Sequence, residues 1–269
     1  MRRPQGALYG VNLLEKKGWA QKLREGKDYL WWRWRQAPRL RQFKDKHKGQ
    51  DCFIIGNGPS LNKMDLSPLA HYHTFGLNKI YLIFDRVDLN LSYLVATNPF
   101  VIEQSKEIYP QLLFPIFLSW TASRHLFPPK EHLYYLHTLN IWSFYTDITQ
   151  PICEGNTVTY VAMQIAYFMG FKRVFLIGVD HSFKQKGSAH EIQIYEGADE
   201  NHFHPDYFKG QPWQLADVYG SEVSYHLANY HYLRDGRQIF DATVEGQLEV
   251  FPKIAYEEAL TMARPKKHR

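Results

Sequence analysis

Four apolar runs of strand length, each closed by a short polar side chain, constrain this chain more than any other feature. "CFIIG", "HTFGLN", "LSYLVATN" and "RVFLIGVD" read as buried strands, rich in β-branched and aromatic residues. Between them lie segments of helical pattern. In the clearest, residues 157–169, Val158, Val161, Ala162, Ile165, Phe168 and Met169 recur at spacings of three and four, which predicts an amphipathic helix facing a sheet. Parallel strands need crossover connections, and a strand–helix–strand succession supplies them. The pattern predicts an α/β fold: a Rossmann-like open, mainly parallel sheet flanked by helices. At 269 residues and 45% hydrophobic the chain can bury a substantial core. The expected organisation is a basic aromatic helical extension over 1–50, a nucleotide-binding catalytic domain over 51–263 and a basic tail over 264–269.

In open sheets of this kind the ligand sits outside the carboxyl ends of the strands. The residues just after each run are Asn57, Asn78, Asn98 and Asp180. Short polar side chains at equivalent strand ends can converge on one polar ligand, and asparagine both donates and accepts hydrogen bonds. The same residues also favour turns and helix caps. After the first run comes "GNGPSL": Gly56 and Gly58 let backbone approach a ligand closely, and the amides of Gly58 and Ser60, with the Ser60 hydroxyl, can donate to a phosphate. No Gly-Lys-Ser/Thr follows, so this is not a Walker A loop, and Leu61 occupies the third glycine position of the dinucleotide fingerprint. "EGNTVT" offers a second anion site, with Gly155, Asn156 and Thr157 preceding the predicted helix and its free N-terminal amides.

The charge is unevenly spread. Residues 1–50 hold 14 Lys/Arg against 4 Asp/Glu and the rest 18 against 23, so an acidic body follows a strongly basic start, and "RPKKHR" closes the chain. No nucleic-acid motif accompanies these ends, and nucleic acid is not an expected partner. The first segment reads as helical pieces interrupted by Gly18, Gly26 and Pro38, with Trp19, Tyr29, Trp31, Trp32 and Trp34 interleaved with Arg33 and Arg35. That mixture suits an anionic membrane surface reached through residues 1–48, or the packing of an appended helix on the main body. No apolar run has the length to span a bilayer, and "MRRPQGALYG" lacks the form of a signal peptide, so the expected location is cytoplasmic, at most peripheral at the inner face of the membrane. Cys52 and Cys153 lack metal-type spacing and read as reduced thiols near the core.

The stretches "IIGNGPSL", "GLNKIYL", "ATNPF" and "GNTVTYVAMQIAYFMGFKRVFLIGVDHSF", spanning roughly residues 51–210, resemble the bacterial sialyltransferases of glycosyltransferase family 42. The wider superfamily includes the motility-associated-factor glycosyltransferases and the MptE-like 6-hydroxymethylpterin diphosphokinase of archaea. The resemblance implies a CMP-sugar donor held at the strand ends without an essential metal. Asn57 and Ser60 would lie by phosphate or ribose, Asn78 and Asn98 near donor and sugar, Thr157 to Thr159 by the donor carboxylate or base, and Asp180 near the nucleoside. Where those enzymes carry tyrosines for the donor phosphate, this chain offers Phe183, Ser182 or His190.

A base for the acceptor hydroxyl must come from "ENHFHPDYF", where His202 is the first choice and His204 the second, because neutral histidine accepts a proton near pH 7. A divalent-metal site or a structural loop is the other reading of this stretch. No Asp-x-Asp occurs. The alternative function is an MptE-like diphosphokinase using ATP and Mg on a pterin-like alcohol, with Asp180 or Asp206 on the metal; the second is a nucleotide-binding, membrane-associated protein without catalysis. His226 and His231 are expected to be structural. The tail is expected to give a strand end, a turn at Gly246, a short "LEVF" strand and a terminal helix.

Overall fold

The computed structural model describes residues 19–194 and 197–266, with side chains described from residue 25 onward. The expectations for Gly18, for the side chain of Trp19 and for the end of the basic tail lie outside these residues. In chain order the elements are α1 (Trp19–Arg35), α2 (Ala37–Leu40), β1 (Asp51–Ile55), β2 (His73–Leu77), β3 (Tyr93–Ala96), α3 (Pro99–Gln104), β4 (Ile116–Ser119), α4 (Trp120–Ser123), β5 (Leu133–Leu136), β6 (Thr138–Leu139), β7 (Ile152–Cys153), α5 (Val158–Phe168), β8 (Arg173–Ile177), β9 (Ile192–Ile194), β10 (Pro212–Gln214), α6 (Val218–Arg234), β11 (Gln238–Asp241) and α7 (Tyr256–Met262).

Seven strands form one sheet in the order β11-β8-β1-β2-β3-β4-β5, every pair parallel. It is an α/β, Rossmann-like arrangement. The chain starts in the middle with β1, steps outward through β2 to β5, then returns to lay β8 and β11 on the other side. The reversal puts the topological switch point between β1 and β8, paired from Asp51↔Arg173 to Ile55↔Ile177. β1 is buried at all five positions, which is why "DCFII" is an unbroken apolar run after its first residue. Asp51 is tolerated there because the Arg173 guanidinium meets both carboxylate oxygens, Nε at 2.9 Å and Nη2 at 2.7 Å, and the Arg264 amide adds a third bond at 3.0 Å.

Three local expectations are revised. α5 is not one-faced: Thr159 through Phe168 are all buried, because α6 covers the side away from the sheet, the Tyr232 hydroxyl donating to the Met163 carbonyl at 2.8 Å. Gln164, fully buried on this helix, donates to the Cys153 carbonyl at 2.7 Å and accepts from the Tyr145 amide at 3.0 Å. α1 runs through Gly26 unbroken, since that position faces open space and glycine there costs helix propensity alone; the break comes at Gln36, and Pro38 sits in the first turn of α2, where proline is tolerated. "LEVF" forms no strand. Leu248 and Phe251 are buried as plugs beside β11, and only an isolated bridge, Asp241↔Lys253, marks the run. Cys52 and Cys153 are buried free thiols, and burial raises the pKa of both.

Candidate functional site

A cavity of about 720 Å³ opens along the carboxyl ends of the sheet, from the turn after β8 to the segment after β5. Asn57, Asn78, Asn98 and Asp180 all line it, so the four strand ends are brought together. Asn156, Thr157 and Thr159 at the start of α5 line it too, as do Gly56 and Gly58. His202 faces it; His204 and Ser60 are not among its lining residues.

The glycine turn is built differently from the reading of it as a phosphate cradle. The Gly58 amide donates to the Gly178 carbonyl at 2.9 Å. The Ser60 amide donates to Asp180 Oδ1 at 3.0 Å and its hydroxyl to Asp180 Oδ2 at 2.7 Å. All three donors that the sequence offered to a phosphate are therefore spent on Gly178 and Asp180, in the turn that follows β8. A side chain at Gly56 would run into the Gly178 carbonyl, and one at Gly58 into the Asp180 carboxylate, so both glycines are needed for strand-to-strand approach at the switch point. What the turn holds is Asp180. Burial pushes the Asp180 pKa up, and the hydrogen bonds from Ser60 oppose that shift.

The asparagines divide in role. Asn98 caps α3, its Oδ1 accepting from the amides of Phe100 (2.9 Å) and Val101 (3.3 Å), and its Nδ2 donates to Gln214 Oε1 at 3.1 Å. Asn57 donates from Nδ2 to the Leu77 carbonyl at 3.0 Å, tying β1 to β2. Its Oδ1, and that of Asn78, are buried at the cavity wall with no donor among the described residues. Asn78 takes a left-handed backbone, φ 48°, a conformation asparagine tolerates better than most residues. Thr157 caps α5 through the Thr159 amide at 3.3 Å, so the N-terminus of that helix, with its partial positive charge, points at the cavity.

The histidine loop is fastened directly to the glycine turn. The Phe203 amide donates to the Asn57 carbonyl at 2.8 Å, and Asn62 Nδ2 donates to the Phe203 carbonyl at 2.8 Å. His202 Nδ1 donates to Asp199 Oδ2 at 2.8 Å. Its ring lies on that of Tyr207, centroids 4.0 Å apart and 2° from parallel, with Phe208 and Trp213 edge-on. In the neutral ring this assignment leaves Nε2 as the proton acceptor. Buried Lys79 holds the loop from below, its Nζ donating to the Tyr207 carbonyl at 2.7 Å and to Gln211 Oε1 at 3.2 Å; burial lowers its pKa to about 8. His204 instead accepts the Asp206 amide at 3.2 Å, and Asp206 pairs with Lys209 at the surface. Among the described residues no three His, Cys, Asp or Glu side chains are grouped as metal ligands.

Several further polar side chains complete the wall. Glu154, Asp217, His181 and Gln214 are acidic, basic or amide groups in the wall. Burial raises the Glu154 pKa against a hydrogen bond from Thr138, and burial lowers that of His181. Asp217 caps α6 through the Gly220 amide at 2.8 Å and faces His190 Nε2 at 3.3 Å. His181 was within reach of the strand-end rule, being next to Asp180; Asp217 was findable as a helix cap ahead of "VYGSEV". Gln214 carries no such signal, because β10 reaches the cavity only through tertiary packing.

A family model described as "6-hydroxymethylpterin diphosphokinase MptE-like" matches residues 33–186, more than half of the chain. The matched segment contains the glycine turn, all four strand ends and the N-terminus of α5, and it stops short of His190 and His202. No curated protein and no solved structure matches the chain.

Proposed function

The chain belongs to the 6-hydroxymethylpterin diphosphokinase MptE-like family, and from that premise we propose that it is a transferase of the sialyltransferase-like kind, moving a sugar from a CMP-sugar to a hydroxyl acceptor. The observation that carries this reading is the charge of the cavity wall. Among its described lining residues there is no Lys or Arg; its polar groups are amides, hydroxyls, histidines and the acids Asp180, Asp217 and Glu154, set among apolar side chains such as Leu77, Leu139 and Phe183. A CMP-sugar of the sialyl type brings one phosphate and one carboxylate, single charges at separate positions that the α5 N-terminus and neutral donors can hold. A nucleoside triphosphate brings several negative charges, which are costly to bury without compensating cations.

His202 is the base in this proposal. As the acceptor oxygen attacks the anomeric carbon, its proton passes to His202 Nε2, and the bond from anomeric carbon to phosphate oxygen breaks with its electron pair leaving on CMP. Asp199, bound to Nδ1, fixes the ring's tautomer and stabilises the imidazolium. Asn57, whose backbone carbonyl anchors this loop, keeps base and donor site in one rigid unit.

The family description itself favours a second reading, diphosphoryl transfer from ATP to a pterin-like alcohol. There Mg would supply the positive charge that the wall lacks, with Asp180 or Asp217 as the carboxylates that fit and substrate phosphates completing its shell. Asp206 does not fit, because it pairs with Lys209 outside the cavity. A third reading keeps nucleotide binding without turnover. A thermal-shift panel of CMP, CDP, UDP and ATP, with and without magnesium, followed by an assay for nucleotide release from the donor, separates them. Stabilisation by CMP independent of metal is the expected result; a shift confined to ATP with magnesium would transfer the assignment to the diphosphokinase, and nucleotide binding without turnover would leave the third.

A further inference from the structure

α1 is packed on one face and largely exposed on the other. Trp32 is fully buried, its Nε1 donating to the Tyr135 carbonyl at 2.8 Å, and Tyr29 stands edge-on to His137 just past β5. On the opposite face Leu30, Trp31 and Trp34 are 54%, 48% and 77% exposed, on one stripe with Lys27. At 100° per residue Arg33 and Arg35 fall on the two flanks of that stripe. This helix lies at the same carboxyl edge of the sheet as the cavity: Trp31 stacks on Trp120 at 4.9 Å, and the next residue, Thr121, lines the cavity.

We propose that this stripe is a docking surface for an anionic lipid bilayer, and that it holds the cavity mouth at the membrane so that the acceptor is a hydroxyl presented at a lipid surface. The first half stands alone; the acceptor clause rests on the glycosyl-transfer reading. Charge complementarity selects the occupant. A second copy of the chain paired through this stripe would gather two sets of Lys27, Arg33 and Arg35 into one interface, where the like charges repel. A bilayer bearing anionic headgroups attracts the same cations, while the indoles and Leu30 enter the headgroup boundary and the arginine stems lie along it. The first 50 residues, with 14 Lys/Arg against 4 Asp/Glu, carry the positive charge of the chain in the segment that contains the stripe.

The test is co-sedimentation of the full chain with phosphatidylcholine vesicles, with and without phosphatidylglycerol, at low and high salt. Binding is expected only to the phosphatidylglycerol vesicles, with release as salt screens the charges. The double variant Leu30→Ser/Trp34→Ser is expected to lose about tenfold in partitioning or more, since two large apolar groups leave the contact. Its melting temperature and its CMP-induced shift should match the parent, because neither residue packs in the core or lines the cavity. Arg33→Gln/Arg35→Gln should weaken binding and reduce its salt dependence, since two of the attracting charges are removed. Absence of vesicle binding, binding equal on both vesicle types, an unaffected Leu30→Ser/Trp34→Ser variant, or a dimer that this variant abolishes would each overturn the docking surface. Loss of the CMP shift in the parent protein would instead count against the transfer reading and leave the vesicle result standing.

Discussion

At Gly58 the room for a side chain is set by the Asp180 carboxylate, and that contact decides what a substitution there does. Gly58→Val must push Asp180 aside and so break both of its bonds to Ser60. Asp180→Asn keeps the volume but leaves one of the Ser60 donors poorly matched. Gly58→Val is therefore expected to abolish nucleotide binding and to lower stability by roughly 1–3 kcal/mol, the cost of stranding buried donors. Titration calorimetry with CMP, alongside urea denaturation, checks both parts; unaltered affinity in a folded variant would take the turn out of the site. His202 makes a sharper demand. His202→Ala should cut turnover by roughly 10²- to 10⁴-fold with little change in donor affinity, the usual contribution of a positioned base. Asp199→Asn should act through the histidine, shifting the pH–rate profile without touching substrate. His204→Ala, at a ring bonded to the Asp206 amide outside the cavity wall, should leave kcat within about twofold, small beside the loss expected of a positioned base. If His204→Ala alone removes activity, the base is misassigned by two residues.

At the level of elements, α1 has a buried face and an exposed one, which point substitutions separate better than deletion does. Trp32, Leu40 and Phe43 belong to the same buried core as β1 and β5, so removing residues 1–48 strips that core and confounds any binding assay. Trp32→Ala should cost about 3–5 kcal/mol in chemical denaturation, the range for emptying a buried tryptophan site. The exposed stripe a half-turn away should cost almost nothing. A loss under about 1 kcal/mol at Trp32 would show that the helix is only loosely held. The elements that a period could announce were legible: β1, β2, β3, β8 and α5 sit close to where the apolar runs put them. β4 and β5 were not, because "PIFLS" and "HLYYL" are short and bounded by prolines and histidines rather than by the turn chemistry that marks the other strands. The "LEVF" run misled for a related reason: a short apolar run reads as a strand whether or not a neighbour pairs with the backbone, and here Leu248 and Phe251, three residues apart, are buried without such a pairing.

Across the whole molecule, the site was legible to the extent that topology makes it. A parallel sheet that reverses direction between β1 and β8 opens a crevice there, and the residues after the strands must face it; hence Asn57, Asn78, Asn98 and Asp180 could be named from spacing alone. Which of their atoms are free could not, since the capping by Asn98 and the Ser60–Asp180 clamp depend on chain segments far apart in sequence. The same holds for a histidine cluster on the amino-terminal side of the sheet, which contributes to the pH response of the fold. His47 stacks on Phe171 at 4.7 Å and lies 4.2 Å from His73, and its Nε2 meets the Tyr93 hydroxyl at 2.6 Å. Burial, then the neighbouring His47, Lys266 and Lys46 charges, lowers the His73 pKa to about 4, and burial lowers that of His47. A histidine depressed in the folded state binds its proton more readily when unfolded, so the cluster's contribution is complete above the unfolded pKa of about 6.5 and is lost as pH falls toward 4. Unfolding free energy measured in urea should thus drop by roughly 1–2 kcal/mol on this account between pH 7 and pH 4.5, after discounting for the solvent that reaches a half-buried ring. The carboxylates add their own acid dependence, so the decisive quantity is the difference between parent and variant. His73→Gln removes one titrating site and should flatten the curve between pH 6.5 and 4 while leaving the loss below pH 4 in place. Parallel curves for parent and variant over that interval would mean that His73 takes up its proton in the folded protein as easily as in the unfolded chain.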